Sequence, residues 1–347
     1  MKKYLLPQNG NLYKANLHCH TKVSDGRNTP AEMKEYYKSR GYQVLAITDH
    51  ELLVDHTDLD DDEFITLTGY EYGFVEKDYD PYTQEGIDTY QHIRTMEFNL
   101  FARDKHNVTH ICFNKENVIH GEKWRCDTVK SVGREDIRKE YTVEAMQEFI
   151  DTAKANGFIV SLNHPNYSFE SPEFFGELKG LFAMEIINQG SYYIADDYNI
   201  QMYDQMIRRG HRISCIAADD NHAAYIEGDD NDIRPWGHVI IKAEELTHEA
   251  VFSALEKGDF YSSQGPRITE LYVEDGKVKM NFEAAKYAIM HTKYRHFGRV
   301  TAPLGEFITT AEFNLPKDAD EFVRFEIIDQ YGRRAHTRAY FMDEIDG

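Results

Sequence analysis

Histidines and carboxylates recur at the ends of short, strand-like runs in this sequence. His18 and His20 flank Cys19 in one such run. Because side chains alternate along a strand, both imidazoles are expected on one face and the thiol on the other. Imidazoles and carboxylates are common ligands of hydrolytic metal ions. Five further runs carry such residues at or near one end, namely Asp49-His50, Glu71, His110, His164 and Asp219-Asp220-Asn221-His222.

The elements that would position these residues alternate between strands and helices. Helical periods are present at about 31–40, 143–155 and 197–209, and this alternation predicts a parallel sheet or a β/α barrel. In such barrels the active site lies at the C-terminal ends of the strands. The polar stretches 70–107 and 114–140 lack a clear period and are interpreted as loops or small insertions. The predicted strands are at about 15–20, 43–48, 64–69, 108–113, 158–163, 181–188 and 212–217.

The pattern changes to strands alone near residue 265. Asp275-Gly276 lies between two β-rich runs, which is a strong hairpin signal. A second pair of runs, 322–328 and 333–341, has the same form. We therefore expect a β/α barrel over 1–265 and a small antiparallel β-sandwich over 266–347, whose role the sequence does not indicate.

Composition excludes several classes of protein. The chain has 347 residues, with 60 acidic against 39 basic residues and a formal net charge of −21. Such a charge disfavours non-specific binding of nucleic acid. No run of 18 apolar residues is present, and the first residues are too short an apolar segment for a signal peptide, so we expect a cytoplasmic protein without a membrane span. The four cysteines are widely spaced, which argues against a disulfide framework or a thiolate zinc site.

Six histidines and three carboxylates exceed the needs of one tetrahedral ion. Without thiolates, they favour two or three divalent ions of zinc, manganese or iron. Ions about 3.5–4 Å apart activate a bridging water and neutralise charge on a leaving group. The sequence has no P-loop, no G-x-G-x-x-G after its first strand, no G-x-S-x-G elbow and no H-E-x-x-H motif.

The order of the motifs resembles the PHP superfamily, named after polymerase and histidinol phosphatase domains. The resemblance covers roughly residues 12–265 and implies a distorted seven-stranded β/α barrel. Its motifs are His18-x-His20 with Ser24-Asp25-Gly26, Thr48-Asp49-His50, Gly69-Tyr70-Glu71, a strand histidine, Asn163-His164-Pro165 and Asp220-x-His222.

The resemblance implies three ion sites. The first would be held by His18, His20, Glu71 and Asp220. Glu71 would bridge to a second, held also by His110 and His164. The third would be held by Asp25, His50 and His222. His92 and His106 are alternatives to His110, which alone lies in a clear β-rich run. Two carboxylates are expected to support ligands instead of binding ions: Asp219, and Asp49, which would orient an imidazole or cap its strand.

The leading functional prediction is a metal-dependent phosphoesterase that uses a metal-bridging hydroxide on a small phosphorylated substrate. No catalytic residue beyond the metal-bound water is indicated, and the oligomeric state is open. A related branch of the superfamily implies an alternative, hydrolysis of carboxylic or carbamate esters. A third interpretation is a non-catalytic, metal-bound scaffold with a binding β domain. No phosphate-binding cation is selected among the loop residues Arg27, Arg94, Arg103, Arg125 and Arg134.

Overall fold

The computed structural model is a mixed α/β protein with one large sheet and a separate antiparallel sheet. It describes residues 2–79, 82–190, 198–223, 237–295, 297–317 and 321–346. The α-helices are α1 (Pro30–Ser39), α2 (Gln84–Tyr90), α3 (Val143–Ala155), α4 (Pro172–Phe175), α5 (Ile200–Arg208), α6 (His248–Lys257) and α7 (Met342–Asp346). The strands are β1 (Lys3–Tyr4), β2 (Asn11–Asn16), β3 (Val44–Ile47), β4 (Ile65–Val75), β5 (Thr95–Ala102), β6 (Thr109–Ile111), β7 (Lys130–Val132), β8 (Phe158–Leu162), β9 (Ala183–Asn188), β10 (Ser214–Ala218), β11 (His238–Ala243), β12 (Phe260–Ser263), β13 (Ile268–Glu274), β14 (Lys277–Ala285), β15 (Tyr287–Thr292), β16 (Gly298–Thr301), β17 (Ile308–Asn314), β18 (Phe322–Ile328), β19 (Arg334–Thr337) and β20 (Tyr340–Phe341).

Local sequence explains where the helices begin. The Thr29 side chain accepts a hydrogen bond from the backbone of Glu32, whose own side chain accepts from Thr29, so α1 starts with a capping box. Thr142 caps α3 in the same manner, by accepting from the Ala145 backbone. Met146, Phe149, Ile150 and Ala153 of α3 form its buried face, as the helical period predicts.

The large sheet contains two parallel groups of strands. Strands β2, β3 and β4 are parallel to one another, and so are β8, β9 and β10. Strand β5 joins the groups and is antiparallel to both β4 and β8. The prediction of a loop over 70–107 is therefore wrong, because this stretch contains α2 and β5. The strand order is β10-β9-β8-β5-β4-β3-β2-β11-β12-β19-β18-β15-β16, and β20 pairs with β18 off this path.

The predicted strand at 108–113 lies outside the large sheet. Its observed part, β6, pairs in parallel with β7 in a two-stranded sheet. The expectation that this run is a strand of the main sheet is wrong, because β5 occupies the position between β4 and β8. The 114–140 stretch, interpreted as a loop, supplies β7 and three short 3-10 turns.

The antiparallel strands after residue 265 are joined to the rest of the chain by backbone pairing. Strand β12 pairs with β19, so the large sheet continues past residue 265. The N-terminal strand β1 pairs with β13 in the separate sheet of order β1-β13-β14-β17. Between the two sheets lies an apolar core that includes Leu5, Leu271, Met280 and Phe325. No helix among the described residues is long and apolar enough to cross a membrane.

Candidate metal centre

The ends of the parallel strands converge on one buried group of histidines and carboxylates. His18 and His20 follow β2, His50 follows β3, and His164 follows β8. Asp220 and His222 follow β10, whereas Glu71 lies within the longer strand β4. His18, His20 and Glu71 are at most 1% exposed, so these polar groups are sealed from bulk solvent. Eight of the nine predicted ligands come together here: His18, His20, Asp25, His50, Glu71, His164, Asp220 and His222.

Glu71 lies at the centre of the group, with an imidazole pair facing each carboxylate oxygen. Its Oε1 is 3.3 Å from His18 Nε2 and 3.4 Å from His164 Nε2. Its Oε2 is 3.3 Å from His20 Nε2 and 3.2 Å from His50 Nδ1. The Asn163 side chain holds this orientation by donating to Oε1 at 2.7 Å. One carboxylate thus faces two separate sets of ligand atoms.

Asp220 occupies a strained backbone position beside the same imidazoles. Its φ is +48°, in the left-handed region that non-glycine residues seldom adopt. Its Oδ1 is 3.3 Å from His18 Nε2 and 3.1 Å from His20 Nε2. The strained turn therefore directs the carboxylate into the buried group.

Asp25, His50 and His222 form a third set at the more open side. Asp25 Oδ2 is 3.4 Å from His222 Nε2 and 3.8 Å from His50 Nε2. The His20 ring stacks on His222 with centroids 4.1 Å apart, and its Nδ1 is 3.7 Å from Asp25 Oδ1. His20 therefore belongs to this set as well as to the set with Asp220.

The donor atoms fit divalent metal ions. Two atoms each about 2.1 Å from one ion are about 3.0–3.4 Å apart at octahedral or tetrahedral angles, and the His18, His20 and Glu71 contacts have this spacing. In addition, both ring nitrogens of His20, Nε2 of His18 and Oδ1 of Asp220 are buried without a hydrogen-bond partner. Buried polar atoms in proteins are normally satisfied, so these orphaned atoms indicate missing ligands. Three sets of residues have metal-binding spacing: His20 with Asp25, His50 and His222; His18 with Glu71 and His164; and His18 with His20 and Asp220.

Charge coupling in the group is strong. Burial raises the pKa of Glu71, but the imidazoles of His18 and His50 outweigh it and hold this pKa well below its usual range. Burial lowers the pKa of His164, but a hydrogen bond to Glu71 and the charges of Glu97, Glu71 and Asp220 raise it to about 10. Without cations, the buried carboxylates are thus balanced by protonated imidazoles. Divalent ions would replace those protons.

His110 lies apart from the group. Its Nε2 accepts a hydrogen bond from the Leu53 backbone at 2.9 Å, and its Nδ1 is 3.2 Å from the Val108 carbonyl. Both ring nitrogens are therefore engaged with backbone. The prediction that His110 is a ligand of the second ion is not supported, since β6 lies outside the large sheet. The alternatives His92 and His106 also have other partners, the Asp88 carbonyl and the Asp55 side chain.

Glu97 occupies the position for which a strand histidine was predicted. It lies on β5, and its Oε2 is 3.4 Å from His164 Nε2. Burial, followed by repulsion from Glu71, raises its pKa to about 7. Sequence reasoning missed Glu97 because residues 70–107 were interpreted as a loop. The signal was nevertheless present, since Met96, Phe98 and Leu100 are buried on one face of β5 and alternate with Glu97 and Asn99.

Carboxylates behind the group hold its backbone and its rings. Glu185 accepts from His18 Nδ1 at 2.7 Å and from the His164 backbone at 2.9 Å. Asp49 accepts from the backbone and hydroxyl groups of Thr21 and Ser24. Its hydrogen bonds among the described residues thus shape the loop before Asp25, and none of those four is to an imidazole, the partner that the sequence predicted.

Asp219 points away from the ligand atoms. One of its oxygens accepts from the Asn16 amide and from the Tyr37 hydroxyl, each at 2.6 Å. The Asn16 amide also donates to the His18 carbonyl at 2.8 Å. Asp219 thus supports the backbone that carries His18, and it couples the end of β10 to the end of β2.

The group opens into a cleft of about 300 Å³. Of its described lining residues, Arg138 is the one lysine or arginine. The five arginines considered from the sequence, Arg27, Arg94, Arg103, Arg125 and Arg134, do not line it. Three tyrosines, Tyr79, Tyr90 and Tyr167, form part of the wall. The inserted stretches thus supply much of the surface that a substrate would meet.

Comparisons with known proteins gave structural similarity alone. No protein-family model matches the chain, and no curated protein does. A two-domain Bacteroides vulgatus protein containing a predicted PHP-like metal-dependent phosphoesterase is 12% identical, with 97% of this chain and 98% of that one covered and a TM-score of 0.44. A putative metal-dependent phosphoesterase from Bifidobacterium adolescentis is 16% identical, with 65% and 95% covered and a TM-score of 0.38. An amidohydrolase from Chromobacterium violaceum, with bound sulfate and no metal, is 13% identical, with 62% and 89% covered and a TM-score of 0.37.

Proposed function

We propose that this protein is a metal-dependent phosphoesterase of the PHP type, acting on a small phosphorylated substrate. The observation that carries the proposal is the convergence of eight histidine and carboxylate side chains in which both ring nitrogens of His20, Nε2 of His18 and Oδ1 of Asp220 lack other partners. A structural zinc site uses four ligands, whereas this group offers two oxygens of Glu71 that face different imidazoles and three overlapping sets of residues. The proposal includes two or three ions of zinc, manganese or iron.

The proposed ligands are assigned to three ion sites. His18, His20, Glu71 and Asp220 would hold one ion. His164 and Glu97 would join Glu71 at a second, and Asp25, His50 and His222 would hold a third. When bound, the ions would supply an activated water and electrostatic stabilisation of the phosphoryl group. Asn163 orients Glu71, and Glu185 orients His18, so the ligands keep their geometry before ions arrive.

The proposed barrel of seven strands and the division into residues 1–265 and 266–347 belong to the same hypothesis. Because β12 and β19 are hydrogen-bonded, we infer that the strands after residue 265 stabilise the sheet that carries the ligands. A cytoplasmic location also remains a prediction from composition.

The experiment combines metal analysis with a substrate screen. Purified protein is reconstituted with Zn²⁺, Mn²⁺ or Fe²⁺ and tested on p-nitrophenyl phosphate, p-nitrophenyl acetate and a p-nitrophenyl carbamate. We expect at least two ions per chain and turnover of the phosphate ester, both absent from the His18→Ala/His20→Ala variant. Less than one ion after reconstitution would contradict the metal centre. Turnover of the acetate or carbamate alone would favour the other ester classes.

A further inference from the structure

A buried cation is held beside the metal centre by an inserted stretch of chain. Arg138 lies in the 3-10 turn Ile137–Lys139, and its side chain is 11% exposed. Its Nη1 donates to Glu51 Oε1 at 2.7 Å. Glu51 directly follows the ligand His50, and its Oε1 also accepts from the Gly73 backbone on β4. The guanidinium is therefore fixed relative to the two segments that carry His50 and Glu71.

Part of the Arg138 guanidinium makes no hydrogen bond to the described residues. A guanidinium carries five N–H donors in a planar fork. Nη1 is engaged by Glu51 and, at 3.5 Å, by the Asn117 carbonyl. Among the described residues, no acceptor is bonded to Nε or Nη2, and the side chain lines the open cleft. A second edge of the guanidinium is thus available to a molecule in the cleft.

An aromatic wall connects this cation to the metal ligands. The Tyr167 ring lies against His164 with centroids 5.3 Å apart, and its hydroxyl is 2.7 Å from that of Tyr90. The Tyr90 ring is in turn 4.9 Å from the Tyr79 ring. Burial raises the pKa of Tyr79 to about 12, and the nearby guanidinium of Arg138 opposes that shift. The cleft therefore runs from His164 along three tyrosines to Arg138.

We propose that Arg138 binds a second anionic group, carried on the organic part of the substrate. The inference rests on the proposed function, in which the metal centre holds the scissile phosphoryl group. A planar guanidinium edge suits a carboxylate or a phosphate, both of which accept two parallel N–H bonds. The chain's net charge of −21 repels a doubly anionic substrate, so the anionic group on the organic part of such a substrate needs a nearby cation. Among the described residues that line the cleft, Arg138 is the one lysine or arginine.

The test compares two non-hydrolysable probes that differ in one anionic group. Binding of phenylphosphonate and of 4-carboxyphenylphosphonate to the metal-loaded, full-length protein is measured by isothermal titration calorimetry. We expect the carboxylated probe to bind roughly 10- to 100-fold more tightly, as a charge-assisted hydrogen-bond pair contributes. Arg138→Gln should remove this preference, so that the ratio of the two Kd values falls to about 1. Arg134→Gln is the matched control, because Arg134 lies in the same insertion but pairs with Glu140 and Glu148 outside the cleft.

Removing Arg138 leaves the buried Glu51 without its partner, so Arg138→Lys is measured in parallel. Lysine retains the charge beside Glu51 and loses the planar second edge, and the preference should fall to about threefold or less. A preference unchanged in either Arg138 variant, or absent from the unmodified protein, would overturn the inference while the proposed function stands. Failure of the unmodified protein to bind phenylphosphonate would count against the proposed function and the inference together. Metal content and thermal unfolding are recorded for every variant.

Discussion

Replacing Glu71 by glutamine is expected to empty two ion sites at once. Each of its oxygens faces two imidazole nitrogens at 3.2–3.4 Å, and the substitution removes the negative charge and replaces one oxygen with an amide nitrogen that cannot act as a ligand. Loss of a residue that merely supports a ligand costs about 10- to 100-fold in metal affinity. Loss of a shared ligand should therefore weaken each of two sites by at least about 100-fold, or about 2.7 kcal/mol per site.

The assay is elemental analysis after dialysis against a series of buffered free-metal concentrations. Unmodified protein, Glu71→Gln and His50→Ala are compared, and we expect Glu71→Gln to lose at least two ions and His50→Ala no more than one. Glu76→Gln is the control, since Glu76 follows the same strand but pairs with Arg94. Full occupancy in Glu71→Gln would refute the central role of this carboxylate. Equal losses in Glu71→Gln and His50→Ala would refute the separation into distinct sites.

Three further predictions concern individual side chains. His18→Ala should lose metal and activity together, whereas Cys19→Ala should keep both because the thiol is directed to the Ala46 carbonyl. Metal analysis and turnover test this prediction. A Cys19→Ala variant without metal would contradict it. His110→Ala should keep its metal but lower the free energy of unfolding by about 1–3 kcal/mol, because the Leu53 N–H loses its acceptor. Urea titration measures the stability, and elemental analysis of the folded variant measures the metal. Reduced metal content in the folded variant would restore His110 as a ligand. Since the pKa of His164 is raised to about 10, its ion pairing stabilises the metal-free protein fully below about pH 6.5 and is lost as pH rises towards 10. Thermal unfolding with chelator should therefore show a falling Tm over this range, and metal-loaded protein should not; parallel curves would contradict this.

Much of the candidate site was predictable because its residues follow short parallel strands. Strand-end histidines are visible in sequence as polar residues after apolar runs, and His50, His164 and His222 were found in this way. Glu97 was not, because it lies in the interior of an antiparallel strand whose polar face is directed to the metal centre. The alternation of apolar and polar residues over 96–100 is itself a strand signal, and it was overlooked because the whole of 70–107 was interpreted as a loop or small insertion.

The sequence indicated that Asp49 and Asp219 lie beside ligands, but it did not indicate which groups they bond to. Asp49 and Asp219 are adjacent in sequence to ligands, and their partners come from segments that are distant along the chain, such as Tyr37 for Asp219. Arg138 was missed for a similar reason: its burial depends on Glu51, from which it is 87 positions away. Pairings at such separations are determined by the tertiary fold and leave no local pattern.

The pairing of β2 with β11 joins segments that are far apart along the chain, which has a consequence for the order in which the proposed ligands are synthesised. Residue Ala15 pairs with Val239, so the segment that presents His18 and His20 has an open backbone edge until about 220 further residues have left the ribosome. At bacterial or eukaryotic elongation rates of about 5–20 residues per second, that wait is roughly 10–45 s. During this interval the nascent chain offers imidazoles without the carboxylates of Asp220. The same strand edge is exposed to unwanted pairing. We therefore expect the proposed ions to bind after these residues have been synthesised, so protein expressed in metal-poor medium should still take up ions on reconstitution, as measured by elemental analysis.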